Sequence, residues 1–82
     1  MRYEIEFVPS ALEQVRALPR DARRLICAKL DRAQNNLLGD IKKLTGFKSK
    51  YRLRAGNYRV LFELEGSCLV VYAVSDRKDI YE

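Results

Sequence analysis

Three strand-forming segments follow one another between residues 50 and 74, and they constrain the fold more than any other feature of the chain. Lys50–Ala55 alternates basic and apolar residues, which predicts a half-buried strand. Gly56-Asn57 predicts a two-residue hairpin turn, because a type II′ turn favours Gly in its first central position. Tyr58–Leu64 is then the return strand. After a turn at 65–67, the apolar run Cys68–Val74 predicts a central strand buried on both faces.

The N-terminal half adds one strand and two helices. Strict alternation from Arg2 to Phe7 predicts another half-buried strand. Apolar residues at helical spacing predict a helix over about Ser10 to Leu18, begun by Pro9 and ended by Pro19. A second helix is predicted to begin near Asp21 and to stop before Gly39. Its apolar stripe consists of Ala22, Leu25, Ile26, Leu30, Ala33 and Leu37.

These elements predict one α+β domain over residues 1–82. The order β-α-α-β-β-β gives a mainly antiparallel four-stranded sheet with a helical hairpin packed on one face, which leaves the other face open and polar. A DNA-binding helix-turn-helix is less well supported. Its turn would carry a proline, and the second helix lacks clustered base-reading side chains at its start.

Basic charge is concentrated in one segment, from Lys42 to Arg59. That segment holds seven basic residues and no acidic one, so it accounts for the whole formal net charge of +5. Such a concentration, with a sequence pI near 9.5, predicts an acidic partner: nucleic acid or a negatively charged protein segment. The basic residues are Lys42, Lys43, Lys48, Lys50, Arg52, Arg54 and Arg59.

Residue types missing from the chain exclude several kinds of chemistry. There is no histidine, and the two cysteines, Cys27 and Cys68, have neither metal-ligand spacing nor the number for a disulfide framework. We therefore expect no metal and no cofactor. No apolar run reaches the length of a membrane span, and the N-terminus lacks the apolar core of a signal peptide, so a cytoplasmic location is expected.

The hairpin register predicts a cluster of arginines. With Gly56-Asn57 as the turn, Arg54 lies opposite Arg59, and Arg52 lies two residues along the same face. Like charges placed opposite each other are destabilising, so the arrangement favours a bound anion, and guanidinium groups match phosphate oxygens. The alternative is an ordinary solvated sheet face. That alternative is weaker because only Glu63 counters the positive charge.

Three blocks in this order resemble the RelE/ParE superfamily of bacterial and archaeal type II toxins: Tyr51–Arg54, Gly56–Leu61 and Asp76–Tyr81. The lysine-rich lead-in Ile41–Gly46 and the two-helix hairpin agree with it, so the resemblance covers essentially the whole chain. It is closest to the RelE branch, whose members cut messenger RNA in the ribosomal A site and are inhibited by a co-expressed antitoxin.

The resemblance implies roles for individual residues. Arg52 and Arg54 match basic residues, usually lysine, that orient the RNA backbone. Arg59 and Arg77 match two arginines that stabilise the transition state, and Tyr81 matches a tyrosine that transfers a proton. Lys42, Lys43, Lys48 and Lys50 are expected to contact ribosomal RNA, and Lys50 also offers an exchangeable proton, which arginine does not. Relatives often carry histidine where this chain has Asp76.

The implied reaction is metal-independent: the 2′-OH attacks the neighbouring phosphate, with Tyr81 as base, and positive charge stabilises the transition state. The implied partners are an acidic antitoxin, messenger RNA and the ribosome, with operator DNA bound only through the antitoxin complex. Two alternatives remain: a ParE-like toxin that binds gyrase without nuclease activity, and a non-catalytic RNA-binding remnant.

Overall fold

The computed structural model describes residues 2–44, 46 and 49–76. Its elements are β1 (Glu4–Phe7), α1 (Pro9–Arg16), α2 (Arg20–Ala33), β2 (Ile41–Lys43), β3 (Lys50–Ala55), β4 (Tyr58–Glu65) and β5 (Cys68–Asp76). The strands form one sheet in the order β1-β5-β4-β3-β2. The pairing of β1 with β5 is parallel and the other three pairings are antiparallel.

The α+β class, the order of the helices and the meander agree with the sequence prediction, but the four-stranded sheet is wrong. A fifth strand, β2, pairs with β3 and forms the edge of the sheet. Its sequence, Ile-Lys-Lys, has one half-buried apolar residue followed by two exposed lysines, so no alternation marks it as a strand.

Both helices pack on one face of the sheet. Proline at the start of α1 lacks the N–H that the first helical turn leaves unbonded, and Pro19 immediately precedes α2. Neither α1 nor α2 has the length and apolar character that crossing a bilayer requires. Buried helix residues meet fully buried strand residues in one core: Ala11, Val15, Ile26, Leu30, Ala33, Leu53, Ala55, Val60, Phe62, Leu69, Val71 and Val74.

Two details of the helical stripe differ from the prediction. Leu25 is 37% exposed, beside the turn that joins β3 to β4. Helix α2 ends at Ala33, and Leu37 lies beyond it with a left-handed backbone (φ 58°), although its side chain still packs against the core. The residue before it, Asn36, is also left-handed (φ 57°), a conformation that asparagine tolerates better than most residues.

Strand β5 is buried on one face only. Leu69, Val71 and Val74 are at most 2% exposed and face the helices. Val70 and Tyr72, between them in sequence, are half-buried. The prediction of burial on both faces is therefore wrong, because within the described residues both helices pack on one side and no helix lies on the side of the sheet opposite them. We call that side the open face.

Candidate functional site

The β3–β4 hairpin brings two arginines directly opposite each other. Arg54 pairs with Arg59 and Ala55 with Tyr58, which confirms the predicted register. Within the turn the positive backbone angle falls on Gly56 (φ 61°), as a type II′ turn requires. The two-residue turn thus fixes the relative positions of both guanidinium groups.

The three arginines of the hairpin lie on the open face but differ in exposure. Their sequence neighbours Leu53 and Val60 are fully buried on the helix face, so alternation directs the arginines away from the helices. Arg54 is exposed and Arg52 half-buried, whereas Arg59 is only 7% exposed. The predicted convergence on one face is confirmed, but the picture of an exposed surface is wrong for Arg59.

Asp40 is a neighbour of the cluster that the sequence did not indicate. Its carboxylate oxygen Oδ2 lies 3.7 Å from Nε of Arg54, and its carbonyl accepts a hydrogen bond of 3.0 Å from the Arg54 backbone N–H. Glu63 is therefore not the only counter-charge near the arginines. Asp40 lies close to Arg54 because the unpredicted strand β2 begins just after Asp40 and pairs with β3. Exposed pairs of this kind contribute about 1 kcal/mol or less, so Arg54 stays available to a stronger anion.

The lysines separate onto different parts of the sheet. Lys42 lies opposite Arg52 on the open face, and Lys43 lies opposite Tyr51, on the other face of β2. The ammonium of Lys50 lies 5.2 Å from the centre of the Tyr72 ring, a cation–π arrangement. Sequence analysis placed Tyr72 inside a doubly buried strand and so missed it as a site residue.

Acidic residues occupy the opposite end of the open face. They alternate with core residues on β1 and β4, and comprise Glu4, Glu6, Glu63 and Glu65. Three of them act on Cys68: desolvation and then the carboxylates of Glu6, Glu4 and Glu65 raise the pKa of its thiol. The open face is thus polarised, with carboxylates on β1 and at the Glu63–Glu65 end of β4, and cations on β2, on β3 and at the Arg59 end of β4.

Several predicted site residues lie outside the described residues: Arg77, Tyr81 and Lys48. Their assignments stay predictions. Within residues 2–44, 46 and 49–76, no group of three or more histidine, cysteine, aspartate or glutamate side chains is placed to hold a metal ion.

The chain is similar in sequence to known RelE toxins. No family model matches the chain. Toxin RelE3 of Methanocaldococcus jannaschii is 31% identical over 84 residues, covering 96% of each chain. A putative RelE-like toxin protein of Escherichia coli is 28% identical over 87 residues, covering 99% of this chain and 92% of that protein.

Solved structures of RelE toxins share the fold of this chain. A RelB–RelE antitoxin–toxin complex from Methanococcus jannaschii matches with a TM-score of 0.79 and 32% identity, covering 93% of this chain and 94% of that one. The isolated E. coli RelE toxin matches in fold with a TM-score of 0.77, covering 90% of this chain and 83% of that one. The chain belongs to the RelE branch of the RelE/ParE toxin superfamily.

Proposed function

We propose that this protein is the toxin of a toxin–antitoxin pair and cuts messenger RNA on the ribosome without a metal ion. The observation that carries the proposal is the opposed pair Arg54 and Arg59 on the open face, with Arg52 two residues away. Membership of the RelE branch supports the same conclusion. Paired guanidinium groups on adjoining strands suit the oxygens of one RNA phosphate.

The reaction is an attack of the 2′-OH on the adjacent phosphorus. The new P–O2′ bond forms as the P–O5′ bond breaks, leaving a 2′,3′-cyclic phosphate and a 5′-OH. Arg59 stabilises the charge on the pentacoordinate phosphorus, and its burial makes that effect stronger, since a guanidinium away from bulk water is less screened. Arg54, more exposed and opposite Arg59, binds an oxygen of the same phosphate, and Arg52 binds the flanking RNA backbone.

Proton transfer needs residues other than the arginines, because a guanidinium does not give up its proton in a protein. Tyr81 is the proposed base for the 2′-OH, and Arg77 the second arginine at the phosphate. Lys50 carries an exchangeable proton on the same face as Arg52 and is the proposed source of the proton for the leaving 5′ oxygen. Lys42, Lys43 and Lys48 are assigned to ribosomal RNA.

An acidic antitoxin is the proposed protein partner. In related proteins from M. jannaschii, Pyrococcus horikoshii and E. coli, RelE is seen in complex with RelB. On this chain two features suit such a partner: the outer edge of β1, and a groove between β1 and α2 lined by Ile5, Phe7, Cys27, Leu30, Asp31 and Gln34. An edge strand offers backbone hydrogen bonds and the groove accepts apolar side chains.

The test is incubation of the purified protein with ribosomes that carry a defined transcript. We expect cleavage at fixed positions within codons and fragments ending in a 2′,3′-cyclic phosphate and a 5′-OH. A transcript with a single 2′-deoxynucleotide at the cut position is the control, and it stays intact because the nucleophile is missing. Intact ordinary transcripts, together with cleaved gyrase–DNA complexes in a parallel assay, would contradict the proposal and favour the gyrase-binding alternative.

A further inference from the structure

A β-bulge between β4 and β5 changes the face on which Tyr72 lies. Leu61 pairs with Ala73, yet the next residue of β4, Phe62, pairs with Val71, so Tyr72 is an additional residue in β5. A bulge of this kind places two successive residues opposite one partner and re-aims a side chain. Without it, alternation from Val74 would turn Tyr72 toward the helices.

The other described aromatic residues belong to the helix side. Phe62 is fully buried in the core, and Tyr51 stacks on it with ring centres 5.4 Å apart. Tyr3, Phe7 and Tyr58 also pack against the core. Of the aromatic residues within the described part of the chain, Tyr72 is the one on the open face. The bulge therefore supplies an aromatic ring to a surface whose other described side chains are charged or aliphatic.

Tyr72 lies at the boundary between the acidic and basic parts of that surface. Lys50 approaches its ring to 5.2 Å, and Leu61, on the neighbouring strand, forms an apolar floor next to Arg52. Strand spacing and rise place the Tyr72 backbone about 10 Å from that of Arg59. This separation is within reach of one RNA strand that presents a base at one position and the next phosphate at the other.

We propose that Tyr72 stacks on a nucleobase of the RNA and positions the adjoining phosphate at Arg54 and Arg59, while Lys50 contacts the backbone beside it. The proposal rests on the proposed function and adds a substrate-contacting residue to it. Aromatic rings next to cations are the common means of holding single-stranded nucleic acid, because every base offers a π-face. Desolvation and Glu63 raise the pKa of Tyr72, so the ring stays uncharged beside a phosphate.

The experiment compares Tyr72→Leu, Tyr72→Phe and Val70→Ala in the cleavage of transcripts on programmed ribosomes. Val70→Ala is the matched control, because Val70 is half-buried on the same strand and face. We expect kcat/KM to fall on the order of 10-fold or more in Tyr72→Leu, the scale of losing one stacked base, and to stay within about twofold in the other two. Equal activity of Tyr72→Leu and wild type overturns the proposal, as does an equal loss in Tyr72→Phe, which keeps the ring.

A second measurement does not depend on how well the variant folds. A transcript that carries 2-aminopurine in the ribosomal A-site codon, with 2′-O-methyl groups to prevent cleavage, reports stacking by loss of fluorescence. Wild-type protein and Tyr72→Phe are expected to lower the emission equally, and an unchanged emission with bound wild-type protein overturns the stacking proposal. Wild-type protein that leaves ordinary transcripts uncut overturns the proposed function itself, so the two failures are distinct.

Discussion

Gln14 holds the end of β5 in place through one side-chain hydrogen bond. Its Oε1 accepts a bond of 2.7 Å from the backbone N–H of Val74, a residue that is 2% exposed. The parallel partner β1 pairs with β5 only as far as Val71, so Val74 lies beyond the reach of β1. The amide of Gln14 therefore takes the place of a strand partner where the chain approaches Asp76.

Replacing Gln14 tests this account of the strand end. Gln14→Leu leaves the Val74 N–H buried without an acceptor, so we expect the free energy of unfolding to fall by about 1–3 kcal/mol. Gln14→Glu is the matched control, because it keeps an oxygen at the same position and should lose less than half as much. Urea denaturation of both variants gives the values, and equal losses would show that the hydrogen bond is not what stabilises this end of β5.

The hairpin of β3 and β4 is the element on which the site depends. Gly56 serves it in two ways: its φ of 61° suits glycine, and a Cβ there would lie 2.9 Å from Cδ2 of Leu25. Helix α2 thus packs close to the turn that sets the Arg54–Arg59 pair. A change in the turn is transmitted directly to the spacing of the two guanidinium groups.

Gly56→Ala is expected to lower the free energy of unfolding by about 1–3 kcal/mol, through backbone strain and contact with Leu25. Gly66→Ala is the control, since Gly66 has a similar φ of 59° but open space around it. Thermal unfolding should show the larger loss for Gly56→Ala, and a Leu25→Ala background should remove the difference. A smaller loss at Gly56 than at Gly66 would contradict the close packing of α2 against the hairpin.

Much of this element followed from sequence because a two-residue turn fixes register. The Arg54–Arg59 pairing and the exact span Lys50–Ala55 needed no tertiary information. Strand β2 and the bulge at Tyr72 did not follow from sequence, for different physical reasons. Three residues are too few to show a period, and β5 is apolar so continuously that no polar residue marks where its alternation shifts.

At the scale of the whole molecule, the sheet separates two surfaces. The helices and the groove beside β1 lie on one side, and the open face carries cations at one end and carboxylates at the other. This polarity depends on β1 joining β5 in parallel, which sequence periodicity does not determine. This polarity also directs a polyanion to β2, β3 and the Arg59 end of β4, because the carboxylates on β1 and at the other end of β4 repel phosphate.

The most direct test of the central claim is the single-turnover rate of transcript cleavage on programmed ribosomes for Arg59→Ala and Arg23→Ala. Both variants lose one positive charge, but Arg23 is exposed on α2, an element of the helix side. We predict a loss of about 100-fold or more for Arg59→Ala, the scale of removing one preorganised charge from a transition state. Arg23→Ala should stay within about twofold, and thermal unfolding verifies that both variants are folded. A folded Arg59→Ala protein that cuts at the wild-type rate would contradict the account.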